Sequence, residues 1–250
     1  QEIGLAASIG CGHLPVMVPL KVALFSTGNE VLDPGDSLIE GAIYDSNRYT
    51  LMQLLKSVGC EVVDLGILKD DPKIISDALL SATIKYDLIL TSGGVSTGEE
   101  DHVRKVVENE GSLLFWRLAI KPGRPVALGQ INDTVFIGLP GNPVAAMVTF
   151  LQIARPIILK LSGANDTAPK LFSVQSDFSY KKKLHRREYV RVQINKNGNG
   201  KLIAKKYQRE GAGILSSMVF ADGFVELPED IVNVEKGDFV NYIPFSELGL

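Results

Sequence analysis

The run Thr91-Ser92-Gly93-Gly94-Val95-Ser96-Thr97-Gly98-Glu99-Glu100-Asp101 interleaves glycines, hydroxyls and carboxylates. Asp87-Leu88-Ile89-Leu90 before it is a short apolar run of the kind buried in a parallel sheet, and Val103, Val106 and Val107 after it have helical spacing. A strand, a loop and a helix are therefore expected in that order. Backbone N–H groups and the positive end of a helix dipole converge at such a junction, and glycine lets an anion approach the main chain. Glu99, Glu100 and Asp101 would repel a bare phosphate but hold a hard cation that bridges to one. The chemistry expected is phosphate plus metal. A plain Ser-Gly-Gly turn, with Asp101 stabilising the helix N-terminus by up to about 1 kcal/mol, accounts equally well for the loop taken alone. The chain contains no G-x-x-x-x-G-K-[ST] and no helix-opening G-x-G-x-x-G, which removes generic P-loop and dinucleotide readings.

Other acids follow other strands. Glu30 comes after Lys21-Val22-Ala23-Leu24-Phe25 through Ser26-Thr27-Gly28-Asn29, and Asp70 and Asp71 come after Cys60-Glu61-Val62-Val63-Asp64-Leu65 through Gly66-Ile67-Leu68-Lys69. Each acid alone reads most simply as a solvated loop carboxylate or a helix cap. In an open parallel sheet, however, the ligand crevice lies beyond the carboxyl ends of the strands, so Glu30, Asp70 and Asp101 are expected on one edge. An all-oxygen ligand set without histidine or thiol suits magnesium rather than zinc or copper. Two more loops bring cations and rigid backbone: Ile120-Lys121-Pro122-Gly123-Arg124-Pro125, suited to an oxyanion, and Leu139-Pro140-Gly141-Asn142-Pro143, which leads into a long helix.

The elements that must position these residues alternate. A helix capped by Asp45, Ser46 or Asn47 carries Leu51, Leu54, Leu55 and Val58 inward and stops at Gly59; another runs from Pro72 to about Lys85. β-type runs at Leu113 to Arg117, Val126 to Leu128 and Val135 to Ile137 precede a helix from Asn142 or Pro143 to Leu161. This is an α/β pattern with a parallel or mainly parallel sheet. After Pro169 the texture becomes all-β: a hairpin from Tyr189 to Ala204 turning at Asn197-Gly198-Asn199-Gly200, then short runs at Phe224 to Leu227, Val232 to Val234 and Phe239 to Ile243. Turns are expected at Asp222-Gly223 and Lys236-Gly237.

Composition bounds the partners. The 250 residues are 45% hydrophobic and 22% charged, as in a globular protein, and the net charge of −3 gives no global attraction to nucleic acid or to anionic membranes. Cys11 and Cys60 form no C-x-x-C pair, so no disulfide framework or thiolate zinc site is indicated and a cytoplasmic setting is expected. No stretch is read as a membrane span, and Gln1 to Cys11 lacks the features of a signal peptide. Gln1 is no initiator methionine, so the chain is expected to begin inside a longer protein. His13, His102 and His185 are isolated, Cys60 reads as a buried strand residue, and Lys181-Lys182-Lys183 with Arg186 and Arg187 reads as a solvated basic face.

Ser26-Thr27-Gly28-Asn29-Glu30, Asp45-Ser46-Asn47, Asp70-Asp71-Pro72, Thr91 to Ser96, Gly98 to Asp101, Lys121 to Pro125 and Leu139 to Pro143 occur in the order found in the MoeA family of molybdopterin molybdenumtransferases, which includes the E domain of gephyrin and its plant counterpart. The chain resembles that family from about Lys21 onward, most strongly through Gly163. The resemblance implies a three-layer, MogA-like molybdopterin-binding α/β domain over 21–164 and a small barrel-like β domain over 170–250. Residues 1–20 would be the remnant of a preceding domain or linker. It implies an enzyme of molybdenum cofactor biosynthesis that takes adenylyl-molybdopterin and molybdate, with Mg²⁺, and transfers molybdenum to the pterin as AMP leaves. Glu30, Asp70 and Asp101 match the family's catalytic and metal-holding acids. Ser92, Gly93 and Gly94 match its pterin-phosphate loop, and Lys121 and Arg124 match the basic positions near molybdate. Thr27, Gly28, Ser96, Pro140, Gly141 and Asn142 are carried over as substrate-binding, and Arg187 as an oxyanion ligand by placement. A homodimer of the full-length protein is implied, with a molybdopterin adenylyltransferase as a further partner. Two rivals stand beside this reading: an adenylyltransferase of the MogA type, which would not need the β domain, and a non-catalytic scaffold of the gephyrin type.

Overall fold

The computed structural model of the chain describes residues 1–95 and 102–250, with the backbone alone for Phe115 and Trp116. A short helix, α1 (Glu2–Ser8), buries none of its residues.

The first sheet is built from β1 (Lys21–Thr27), β2 (Glu61–Leu68), β3 (Leu88–Ser92) and β4 (Ser112–Arg117), then, after β5 (Ile120–Lys121), from β6 (Pro125–Ile131) and β7 (Thr134–Leu139). Its order is β2-β1-β3-β7-β6-β4. The pairs β1 with β2, β1 with β3 and β3 with β7 are parallel; β6 runs antiparallel to both β7 and β4. "Mainly parallel" thus holds for the half that carries the loops of interest, while the far edge folds as an antiparallel meander.

The strand side chains alternate between two layers, as period two requires. Val22, Leu24, Leu88, Leu90, Ile137 and Leu139 pack with α2 (Asn47–Ser57) and α5 (Pro143–Leu161) on one face. Ala23, Phe25, Ile89 and Phe136 pack with α3 (Pro72–Thr83) and α4 (His102–Glu110) on the other. The result is the expected three-layer α/β domain. The α2 start resolves the choice among three caps: the Asp45 carboxylate accepts from Arg48 N at 3.0 Å, whereas neither Ser46 nor Asn47 caps with its side chain.

Helix α5 runs from Pro143 to Leu161 as expected and corrects one expectation. It widens into a π turn at Phe150–Ala154 immediately before Arg155-Pro156. Proline inside a helix has no N–H to donate and its ring crowds the carbonyl four residues back, so a wider ring at that point accommodates it. The helix is also long and apolar enough to cross a membrane by length and composition, 19 residues at a mean hydropathy of 1.6, contrary to the sequence reading. Val144, Val148, Phe150, Leu151, Ala154 and Ile158 bury its inner face against the sheet and the β domain.

The second sheet is a closed barrel of five strands: β8 (Phe172–Ser176), β9 (Arg187–Lys196), β10 (Leu202–Lys206), β11 (Gly223–Leu227) and β12 (Phe239–Pro244). They run β10-β8-β12-β11-β9, and β9 pairs back to β10. Val174, Val190, Val192, Ala204, Val225 and Val240 fill its interior. Gly223 lies inside β11 rather than in a turn, because a Cβ there would stand 2.2 Å from Ile243 O. In the β9–β10 hairpin only Gly200 has positive φ; Asn197 Oδ1 organises the rest, accepting from Asn199 N and Lys201 N. The short strand β5 leaves the first sheet and pairs with β9 of the barrel, Ile120 opposite Arg187 and Lys121 opposite Glu188. That ladder carries Lys121 onto the barrel wall.

Candidate active site

The carboxyl ends of the four parallel strands open on one cleft of about 1070 Å³. Thr27 and Gly28 enter it from β1, Asp70 from the turn after β2, Ser92, Gly93 and Gly94 from β3, and Pro140, Gly141 and Asn142 from β7. Glu30 lines the same cleft. Ser96 and Asp101 lie outside the described residues, as do Thr97 to Glu100.

The glycines at the cleft floor are there because the backbone leaves no room. Gly93 has φ +86°, and a Cβ would stand 2.7 Å from Thr27 O; Gly94 has φ +66°, and a Cβ would meet Val103 Cγ2 at 2.4 Å. Both positions combine a left-handed conformation with contact against β1 or α4. The loops are also tied side to side: Gly93 N donates to Leu139 O at 3.1 Å. Asn47 Nδ2 donates to Ser92 Oγ at 2.8 Å and to Gly141 O at 2.7 Å, and Ser92 Oγ in turn reaches Pro140 O at 3.4 Å. The Ser92 hydroxyl, 3% exposed, is thus engaged between loops rather than pointing outward.

The acids divide by role. The Asp71 carboxylate accepts from Lys73 N and Ile74 N and is the N-cap of α3. Asp70 is held by its backbone, its N–H donating to Asn29 Oδ1 at 3.3 Å, and its carboxylate Oδ1 is buried with no hydrogen-bond partner among the described residues. A buried orphan oxygen costs about 1–3 kcal/mol unless a ligand or ion satisfies it. Ser26 Oγ, at the end of β1 in the same cleft, is orphaned likewise. No group of three or more metal-ligating side chains occurs among the described residues, which do not include Asp101.

Behind the cleft, Arg48 is 4% exposed and binds three carboxylates, those of Asp33, Asp45 and Asp64. Burial opposes its charge, but these partners outweigh it and hold the guanidinium above its ordinary pKa. Sequence reading passed over Arg48, since a helix arginine usually faces water.

A second cavity of about 210 Å³ lies where the α/β domain meets the barrel. Lys121, Arg191, Lys206 and Arg209 line it with Glu188 and Glu210. Lys121 Nζ is 3.2 Å from Tyr180 Oη and 3.4 Å from Glu188 Oε2; Lys206 Nζ pairs with Glu210 at 2.6 Å. Glu188 also accepts from Tyr180 Oη and from Arg186. Burial, with the Glu188 carboxylate beside it, holds the Tyr180 phenol well above its usual range. Arg191 was missed in the sequence, although a lone arginine between Val190 and Val192 in a strand is a usable signal. Its Nε is buried without a partner among the described residues, and burial lowers its pKa. Four cations against two carboxylates leave this small cavity positive.

Two expected oxyanion ligands fall elsewhere. Arg124, beyond the Gly123 turn at φ +105°, is exposed and lines neither cavity. Arg187 is engaged by carboxylates, bidentate to Glu229 at 3.1 Å and bonded to Glu226 at 3.0 Å, and lines neither cavity. His185 is exposed, as expected; His102 opens α4 with Nδ1 buried and no partner among the described residues. Cys60 is buried, which pushes its thiol up to about 11.

Pro125, Pro140 and Asn142 line both cavities. An acid-bearing cleft at the strand ends and a cationic pocket on the barrel therefore share one wall.

Comparison with known proteins agrees with this arrangement. The family described as "Probable molybdopterin binding domain" matches residues 23–160, and "MoeA C-terminal region (domain IV)" matches residues 173–245. A molybdopterin molybdenumtransferase of Haemophilus influenzae is 39% identical over 99% of this chain and 61% of its own length. Molybdopterin molybdenumtransferase 2 of Mycobacterium tuberculosis is 31% identical over 94% of this chain and 59% of its own length. The crystal structure of a molybdopterin biosynthesis MoeA protein of Pyrococcus horikoshii superposes with a TM-score of 0.81 at 28% identity, over 97% of this chain and 58% of that one. The chain thus spans about three-fifths of the length of these relatives. With both of its regions matched in the order that the cleft and the barrel require, the chain belongs to the MoeA family, a molybdopterin-binding α/β domain followed by the MoeA C-terminal region.

Proposed function

We propose that this chain carries the substrate-binding part of a molybdenum insertase of molybdenum cofactor biosynthesis, acting on adenylyl-molybdopterin and molybdate. The wall shared by the two cavities supports the reading, because an adenylated pterin in the larger cleft would lie beside an oxyanion in the smaller one. The volumes agree: about 1070 Å³ is ample for a ligand of nucleotide size, and about 210 Å³ suffices for an oxyanion with water. Oriented neighbours of this kind turn a two-substrate reaction into a local one.

The loops after β3 and β7 bind the phosphate groups, with Thr27, Gly28, Ser92, Gly93, Gly94, Pro140 and Gly141 shaping the floor. Lys121 and Arg191 attract the oxyanion, with Lys206 and Arg209 at its rim. The orphaned Asp70 oxygen suits a cation: Glu30, Asp70 and Asp101 would hold Mg²⁺, which neutralises anhydride charge when bound. Water attacks the adenylate phosphorus, its P–O bond forms as the anhydride P–O bond breaks, the pterin phosphate is the leaving group, and AMP departs as the water's proton passes to solvent. The two pterin thiols bond to molybdenum, and their two protons leave with one molybdate oxygen as water. The chain's side chains bind, orient and screen charge. The protein from which the chain comes is proposed to be cytoplasmic and dimeric, and the chain to divide at 1–20, 21–164 and 170–250.

The test is molybdate-dependent AMP release from adenylyl-molybdopterin by the complete protein. Release that requires molybdate and magnesium supports the proposal; adenylylation of molybdopterin from ATP in its place would overturn it.

A further inference from the structure

We infer that Asn47 is a positioning residue that sets the gap between the two loops of the large cleft and thereby the affinity for an adenylate phosphate. The inference rests on the adenylate reading of that cleft. Asn47 is 8% exposed, lines the cleft, and stands at the first residue of α2. The N-cap position before it is Ser46, where a side-chain cap bond would be expected. Ser46 makes no cap bond, and the Asp45 carboxylate does that work. Both N–H donors of the Asn47 carboxamide go outward, one to Ser92 Oγ on the β3 loop and one to Gly141 O on the β7 loop. A single planar group thus bonds both loops at 2.8 and 2.7 Å.

The base of this contact is fixed. Arg48, the next residue, is buried and bound to carboxylates on three segments, so the helix start cannot drift without breaking them. Gly141 and Gly93 approach closely enough that a Cβ on Gly141 would stand 3.9 Å from Gly93 Cα. Beyond the amide, the direct ties between the loops among the described residues are the backbone bond from Gly93 N to Leu139 O and the longer contact from Ser92 Oγ to Pro140 O at 3.4 Å. Loss of the amide contact leaves the cores on both sheet faces intact and frees the loop tips. A residue required for stability alone would move the melting temperature; a positioning residue moves the affinity.

The test uses the 250-residue chain, AMP with magnesium as the probe, and the variants Asn47→Asp and Asn47→Ala. Asparate is isosteric and its charge is favourable at a helix N-terminus, yet it cannot donate to Ser92 or to Gly141 O. The expected result is a rise in the AMP dissociation constant of about tenfold or more in both variants, with melting within about 2 °C of wild type. Amide exchange should rise at Gly93 to Val95 and at Gly141 to Asn142. Ser92→Ala should weaken AMP binding less, and combined with Asn47→Ala it should add less than its separate factor, since both act through one contact. Wild-type affinity in both variants would overturn the inference while leaving the adenylate reading intact. Loss of fold in both would make Asn47 structural and overturn it too. Absence of AMP binding by the unaltered chain would overturn the adenylate reading itself, and the inference with it.

Discussion

Lys121 and Glu188 are register partners across the short ladder that joins the α/β domain to the barrel, and their charged groups lie 3.4 Å apart. Glu188 is 1% exposed and receives Tyr180 and Arg186 as well, so it is an immobile anion against which the lysine is held. The pairing explains how a lysine after a two-residue strand can be oriented toward a pocket formed mainly by another domain.

Lys121→Ala is expected to raise the molybdate requirement of the complete protein about tenfold or more, the scale of one charged hydrogen bond. Arg124→Ala should change it by less than about twofold, because an exposed cation outside both cavities is screened. Equal effects of the two substitutions on the molybdate dependence of AMP release would remove the small cavity from the oxyanion path.

Asp70→Asn should separate activity from stability. Its Oδ1 is without a partner among the described residues, so neutralising it breaks no hydrogen bond of that atom there. We expect AMP release to fall by roughly two orders of magnitude, in keeping with several kcal/mol of charge stabilisation lost at a metal-holding acid. The melting temperature should hold or rise. A variant with normal magnesium-dependent turnover would exclude Asp70 from the metal site.

Arg187 is ion-paired to Glu226 and Glu229, and its removal has a pH signature. Its hydrogen bonds hold the Glu229 carboxyl below the usual carboxylate range. A carboxyl depressed on folding contributes stability above its unfolded pKa and loses it as pH falls through the folded value. The melting difference between wild type and Arg187→Met should therefore be largest near neutral pH and shrink in acid. The pH-dependent part should remain small, because Glu229 is half exposed and such pairs contribute up to about 1 kcal/mol; loss of the largely buried Glu226 pairing adds a destabilisation that does not follow the Glu229 titration. The molybdate dependence should not move.

The sequence made the α/β layers and the loop cluster readable because strand alternation and helix spacing are local signals: Val22 and Leu24 face one layer, Ala23 and Phe25 the other. What it hid was long-range. Nothing near Ile120-Lys121 announces that these residues leave their own sheet for the barrel, since the partner strand begins at Arg187. Asn47 reads as a cap until Ser92 and Gly141 are seen beside it, 45 and 94 residues away. Arg187 was assigned by its place in the sequence, but Glu226 and Glu229 lie 39 and 42 residues on, and only the folded barrel brings them to it. Gly223 reads as a turn residue because its crowding by Ile243 is visible only across the ladder.

Arg48 gives the sharpest test of how the cleft is held. Its side chain is 4% exposed, and so nearly is that of Asp45 at 2%, while Asp33 and Asp64 keep 45% and 30% of theirs in solvent. Arg48→Met keeps the aliphatic volume but leaves the Asp45 carboxylate buried and without its cation. Breaking a buried pair from one side costs about 3–5 kcal/mol, which for a chain of this size corresponds to a melting temperature lower by roughly 10 °C. Asp33 and Asp64 can rehydrate and should add little. The double variant Arg48→Met/Asp45→Leu removes both buried charges and should recover much of the loss, as apolar replacements of buried pairs do. Recovery of stability need not restore ligand binding, because Asp45 also caps α2 and so fixes where Asn47 stands. Thermal melts of the two variants, read beside their AMP affinities, check both halves. A single Arg48→Met variant as stable as wild type would show that water reaches Asp45 and that the buried pair does not anchor the helix.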